Sequence, residues 1–180
     1  MSAAAQFPTA PVWRRLGAAA YDAVIYAALL AVSVMVSLVL AVPLELDRGA
    51  GWQTLLRALA LLVGLGYFGW SWIHGGQTLG LRAWRLRMRR HGGGALGWRL
   101  AVTRYAWTLA PLVTGLWLAS RLHGPAAAAA LAAAGLAPYL PCLSDSRNRS
   151  LADLLAGTEL TLEPRISAVA AQLPDGGQRQ

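Results

Sequence analysis

Four long stretches of this chain carry almost no charge, and short arginine-rich stretches separate them. The first follows Trp13, Arg14 and Arg15 and continues to Val42, and its part from Ala23 to Val42 is wholly uncharged. The second runs from Leu55 to Ile73, with Arg57 near its start, from where a long side chain reaches the interface. The third, Tyr105 to Ser120, is shorter and contains Pro111. The fourth, Ala126 to Leu143, is rich in alanine, with Pro138 and Pro141 near its end. About 20 apolar residues at ~1.5 Å each cover a ~30 Å hydrocarbon core. The pattern therefore predicts an all-α integral membrane protein of about four transmembrane helices, near residues 16–42, 55–73, 105–120 and 126–143. The last two runs are short and interrupted by proline, so tilted or broken helices are expected there.

Two segments between the apolar runs carry a different period. Trp84-Arg85-Leu86-Arg87-Met88-Arg89 alternates apolar and basic, and Gly92, Gly93 and Gly94 then end it. Glu159-Leu160-Thr161-Leu162-Glu163 alternates in the same way with acids. Period two with opposite charge predicts a small β-hairpin-like pairing of 84–90 with 159–163. Arg85, Arg87 and Arg89 would then face Glu159 and Glu163, with Leu86, Met88, Leu160 and Leu162 on the other side. The domain organisation expected is a tail over 1–12, a membrane domain over 13–163 and a disordered polar tail over 164–180.

Composition sharpens this picture. Only 13% of the residues are charged, against about 25% in a soluble domain, so burial here is burial in lipid. All sixteen basic residues are arginine, and the net charge is +8. Thirteen of them lie before the first run, between the second and third, or after the fourth; Arg48, Arg57 and Arg121 lie on the other side. The positive-inside rule then places both termini and the middle segment in the cytoplasm. The excess charge is expected to orient the chain in the lipid bilayer and meet anionic lipid headgroups, with no nucleic acid as partner, since no basic soluble domain exists to carry one. The Arg14-Arg15 start is not expected to belong to a signal peptide, because the following run is too long and contains Asp22. Cys142 is the only cysteine, and His74, His91 and His123 fall in separate loops. No catalytic residue set, metal site or cofactor is therefore expected, and the chain is not expected to be an enzyme.

Three motifs resemble the RDD family, named for one arginine and two aspartates. The first helix opens Trp13-Arg14-Arg15-Leu16-Gly17-Ala18-Ala19-Ala20-Tyr21-Asp22. After the second run comes the glycine-rich turn Gly76-Gln77-Thr78-Leu79-Gly80-Leu81-Arg82. After the fourth comes Ser150-Leu151-Ala152-Asp153-Leu154-Leu155-Ala156-Gly157-Thr158. The resemblance makes Arg15, Asp22 and Asp153 the matching triad and Gly76, Gln77, Gly80 and Arg82 the matching turn. Leu81 stands where the family often has lysine, so no cationic role carries over to that position. The resemblance implies a membrane location, expected to be a bacterial cytoplasmic (inner) membrane crossed several times. It implies transport as a loose expectation, since the family has no single established activity.

Asp22 lies about two helical turns inside the first run, where an ionised carboxylate costs ~2.5–3.5 kcal/mol on insertion scales. Arg15 is on the same helix face, yet both side chains lean toward the N-terminus, so they do not meet. Arg104, at the start of the third run, is the expected partner, making Asp22 and Arg104 a candidate ion pair or ion/proton site. The pair would either fix helix packing or couple an ion. Asp153 follows Ser150 by three residues, and helix capping alone would account for it. Two functions from different classes follow: a small transporter or ion-coupled carrier, working as a homo-oligomer, or a non-transporting membrane module that binds a partner protein or anionic lipid.

Overall fold

The computed structural model describes residues 8–42 and 49–163, so the polar tail expected over 164–180 lies outside the described residues. The first three apolar runs each become one helix, and the fourth begins as one. Helix α1, Val12–Ala41, starts directly after Pro11. Helix α2, Ala50–Gly75, ends at Gly76, which turns left-handed at φ 66° and donates its N–H to the Trp72 carbonyl at 2.9 Å. Helix α4, Trp98–Ala119, runs through Pro111. Helix α5, Pro125–Leu136, has Pro125 in its first turn, where no N–H is needed.

The fourth run is broken, as its prolines predict. After α5 comes a 3₁₀ turn, Ala137–Tyr139, and then the short α6, Pro141–Ser144. Pro138 and Pro141 lack the N–H groups that would continue the ladder. Three helical stretches are long and apolar enough to cross a membrane: Val12–Ala41, Ala50–Gly75 and Pro125–Ser144. The 22-residue α4 is long enough at ~33 Å, but is less apolar, because Arg99 and Arg104 lie inside its first two turns instead of flanking it.

Small residues let these helices approach. Tyr26 of α1 and Tyr105 of α4 both reach α2, donating to the carbonyls of Ala60 at 2.7 Å and Leu61 at 3.1 Å. Gly64 makes room for them, since a Cβ there would sit 2.1 Å from the Tyr105 hydroxyl. Gly115 of α4 likewise faces Ala134 of α5, where a Cβ would come within 2.3 Å. These are the close backbone contacts by which helices associate in lipid.

The segments between and after these helices fold into a cap. It holds α3 (Leu79–Ala83), strand β1 (Leu86–Arg90), α7 (Leu151–Ala156) and strand β2 (Thr158–Leu162). The strands pair antiparallel, from Leu86 opposite Leu162 to Arg90 opposite Thr158, so the expected pairing forms. Pro8 to Ala10, placed by the sequence in a tail, instead run along the far side of β2. Ala10 donates to Leu160 at 3.0 Å, and Leu162 donates to Pro8 at 2.8 Å. Leu86, Met88 and Leu160 are buried with Ala10, Ala18, Leu81, Trp72, Ala101 and Tyr105. The apolar face of the sheet thus closes over one end of α1, α2 and α4.

The charged face differs in detail from the expectation. Arg87 pairs with Glu163 at 2.8 Å. Glu159, opposite Arg89 in the register, takes Arg147 at 3.2 Å and His91 at 3.4 Å. Arg89 donates from Nε to the Thr161 hydroxyl at 3.2 Å.

Candidate functional site

Where cap and helices meet, two carboxylates are buried in separate clusters. The first is Asp153, with no exposed surface. The Ser-x-x-Asp start of α7 forms a full capping box: Ser150 Oγ accepts from the Asp153 N–H, and Asp153 Oδ2 accepts from the Ser150 N–H at 3.1 Å. That cap aims the carboxylate at two arginines. Arg15 Nη1 lies 2.5 Å from Oδ2, while Oδ1 accepts from Arg104 Nη1 and from the Thr158 hydroxyl, the latter at 3.0 Å. Burial pushes the Asp153 carboxyl up, but Arg104 and Arg15 outweigh it and hold the group at about 2.

Arg15 does more than neutralise. Its Nε donates to the Ala10 carbonyl at 3.1 Å and its Nη2 to Leu160 at 3.3 Å, so one side chain of α1 joins α7, β2 and the N-terminal segment. Arg104 reaches from α4 and lies over the Trp72 ring of α2, 5.4 Å from its centroid. Its Nε is buried without a hydrogen-bond partner among the described residues. Two guanidiniums share one carboxylate here.

The second cluster is built on Asp22. Its Oδ2 accepts from the Thr78 hydroxyl at 2.5 Å. Its Oδ1 accepts from the Tyr67 hydroxyl at 2.7 Å and from the Gly80 N–H at 2.9 Å. Thr78 is the N-cap of α3, its Oγ1 accepting from Leu81 N–H at 3.1 Å. Asp22 therefore anchors the glycine-rich turn to α1. Gly80 is required by proximity, because a Cβ would lie 2.3 Å from the Ala18 carbonyl and 2.6 Å from the Asp22 carboxyl carbon. Gly17, one turn away, has the Trp84 ring against it at 2.4 Å from where a Cβ would be.

The geometry redistributes the residues singled out from the sequence. Arg15 and Asp153 meet, while Asp22 belongs to the other cluster. The expected Asp22–Arg104 pair does not form: Arg104 binds Asp153, and hydroxyl and amide donors of α2 and the turn occupy Asp22. Within the turn, Gly76 caps α2, and Gln77 donates to the Leu86 carbonyl at 2.8 Å and to Glu163 at 3.1 Å. Arg82 is exposed on α3. Leu81 is buried in the core under the sheet.

Tyr67 carried no signal in the sequence, being one aromatic in an aromatic run. Thr78 and Thr158 lie inside the quoted motifs, and Thr78 could have been found as a cap. Four hydroxyls of α1 and α4 turn inward on their own helices. Ser33, Ser37, Thr108 and Thr114 donate to the carbonyls four residues before them, at 2.7, 2.8, 2.9 and 2.9 Å.

These features define a class: a protein of long apolar helices held at one end by a small basic cap through buried ion pairs. The RDD family model matches residues 9–157, from the N-terminal edge of the cap to the end of α7, and the chain belongs to the RDD family. No curated protein and no solved structure matches it.

Proposed function

We propose that this chain is a non-transporting module of a bacterial cytoplasmic membrane, with its helices in lipid and its cap at the cytoplasmic headgroup layer. The observation that carries this is the use made of Asp22 and Asp153. Every donor around them belongs to the cap or to a helix it sits on. A carboxylate that couples an ion must exchange partners as access alternates. One held by three or more fixed donors in a buried site instead welds two parts of a fold together. The hydroxyls of α1 and α4, satisfied within their own helices, add no polar path beside them.

The cap gathers arginines from the middle and late segments at one end of the helices, as the positive-inside rule requires of a cytoplasmic face. The helix faces away from the cap are open: α5 buries no residue, and Val24, Val32 and Val39 of α1 are exposed. Such faces suit lipid, a second copy or a membrane partner protein. The test is flux. Purified protein in liposomes should pass no monovalent cation or proton above protein-free liposomes, with or without a pH gradient. A saturable flux that scales with protein would overturn the proposal.

A further inference from the structure

A cleft of about 1380 Å³ opens between the end of α2 and strand β1. Its polar wall is strongly basic. Arg87, Arg89, Arg90 and Arg147 line it, against Glu159 as the lining carboxylate. Glu159 is engaged with Arg147, and Arg87 is held by Glu163 from outside the cleft. Arg90, exposed, adds its positive charge beside these paired groups. Gly92, Gly93 and Gly94, all left-handed with φ of 81°, 88° and 94°, also line it, and side chains are strained in that conformation.

Part of the lining is apolar. Ile73, at the last turn of α2, and Leu96 are partly buried beside the arginines, and Trp72 and Met88, which also border the cleft, belong to the core. A membrane helix therefore delivers hydrocarbon-compatible surface directly beside a cationic one. A free inorganic anion has no use for the apolar part, and an uncharged amphiphile has none for the arginines.

We propose that this cleft seats the headgroup of an anionic phospholipid, its phosphate on Arg90 and Arg147 and its glycerol and upper chain along Ile73 and Leu96. Guanidinium pairs with phosphate oxygens through charge-assisted hydrogen bonds, in bidentate geometry where the approach allows. The assignment rests on the membrane placement proposed above, and it adds a discrete site to the diffuse attraction that any basic face exerts.

Calorimetric titration of the full chain in neutral detergent tests it. The probes are dioctanoyl phosphatidylglycerol, dioctanoyl phosphatidylcholine, glycerol 3-phosphate and inorganic phosphate. Phosphatidylglycerol should bind saturably, and the other three at least about tenfold more weakly. Arg90→Gln with Arg147→Gln should weaken phosphatidylglycerol by about tenfold or more, as expected for two charge-assisted contacts. Arg82→Gln with Arg99→Gln removes the same charge from exposed positions outside the cleft and should change affinity by less than about twofold. Arg90→Gln alone, at an exposed position, should give a partial loss and guards against misfolding of the double variant.

Equal weakening by the two double variants would mean diffuse attraction and would sink the cleft as a site. Glycerol 3-phosphate binding as tightly as the lipid would make a soluble phosphate ester the occupant and overturn the lipid assignment. Absence of any phosphatidylglycerol binding would overturn it outright. The liposome flux measurement decides the non-transporting role separately, whichever way the titrations fall.

Discussion

Arg15 and Asp153, 138 positions apart in the chain, meet with Nη1 and Oδ2 2.5 Å apart, both side chains almost completely buried. The contact closes the cap onto α1, and Arg104 meets the same carboxylate from α4. The three residues are therefore unequal. Removing Asp153 strands two buried guanidiniums, whereas removing Arg15 leaves Asp153 with Arg104, Ser150 and Thr158. Breaking a buried pair costs about 3–5 kcal/mol. Asp153→Ala should lie at or above the top of that range, and Arg15→Ala below it. Thermal unfolding in detergent ranks them; Arg15→Ala as damaging as Asp153→Ala would contradict the shared-carboxylate arrangement.

Acid should loosen the same contact. The Asp153 carboxyl sits at about 2 in the folded protein, below the ordinary 3.8, because Arg104 and Arg15 outweigh the upward push of burial. The unfolded chain therefore takes up the proton first as pH falls. The stability that this group contributes is complete above about pH 4 and is lost as pH falls toward about 2. Glu163, held down by Arg87, shifts in the same direction at the edge of the sheet. Unfolding temperature measured from pH 5 to about 2 should fall for the wild type and fall less steeply for Asp153→Asn. Parallel slopes for the two proteins would show that another group governs acid lability.

Some of this architecture could be read before the structure, and the reason differs from element to element. The β1–β2 pairing was legible because period two and opposite charge coincide in two segments, and both survive folding as Arg87–Glu163 and the buried Leu86, Met88 and Leu160. The capping box at Ser150 was legible because it is purely local. The partner of Asp22 was not. Helical rise gives its depth, but the neighbour at that depth depends on helix rotation and on α3, whose five residues are too few to show a period. The strand-like role of Pro8 to Ala10 was hidden for the same reason, since three residues carry no pattern of their own.

Gly80 offers a steric test of the turn. A methyl group there meets the Ala18 carbonyl and the Asp22 carboxyl carbon at 2.3 and 2.6 Å, the first being backbone and the second held by Tyr67, Thr78 and Gly80 itself. Gly80→Ala should push α3 off α1 and cost about 1–3 kcal/mol, the usual range for overpacking, with the hydrogen bond to Asp22 lost in addition. Gly66, inside α2 with open space around its Cβ position, is the control. Gly66→Ala should be neutral or stabilise by up to about 1 kcal/mol through helix propensity. Comparable losses in the two variants would mean that the turn tolerates a side chain and does not press on α1.

Asp22 separates a structural anchor from an ion-coupling group. Asp22→Ala deprives the Tyr67 and Thr78 hydroxyls and the Gly80 N–H of their acceptor at once. Leaving buried donors unsatisfied should cost about 1–3 kcal/mol. Asp22→Asn should cost less, since an amide oxygen still accepts and the amide nitrogen can donate to Thr78 Oγ1. Because Arg104 serves Asp153 and shares no hydrogen-bond partner with Asp22, combining Arg104→Ala with Asp22→Asn should be additive to within about 0.5 kcal/mol. A large coupling between them would restore the ion pair expected from the sequence. Flux completes the comparison on the same variants. For an anchor, wild type and Asp22→Asn are alike in showing none. A pH-dependent flux present in the wild type and abolished in an Asp22→Asn protein of normal yield and unfolding temperature would make Asp22 a proton carrier, and the fixed hydrogen bonds around it would then be one state of a cycle.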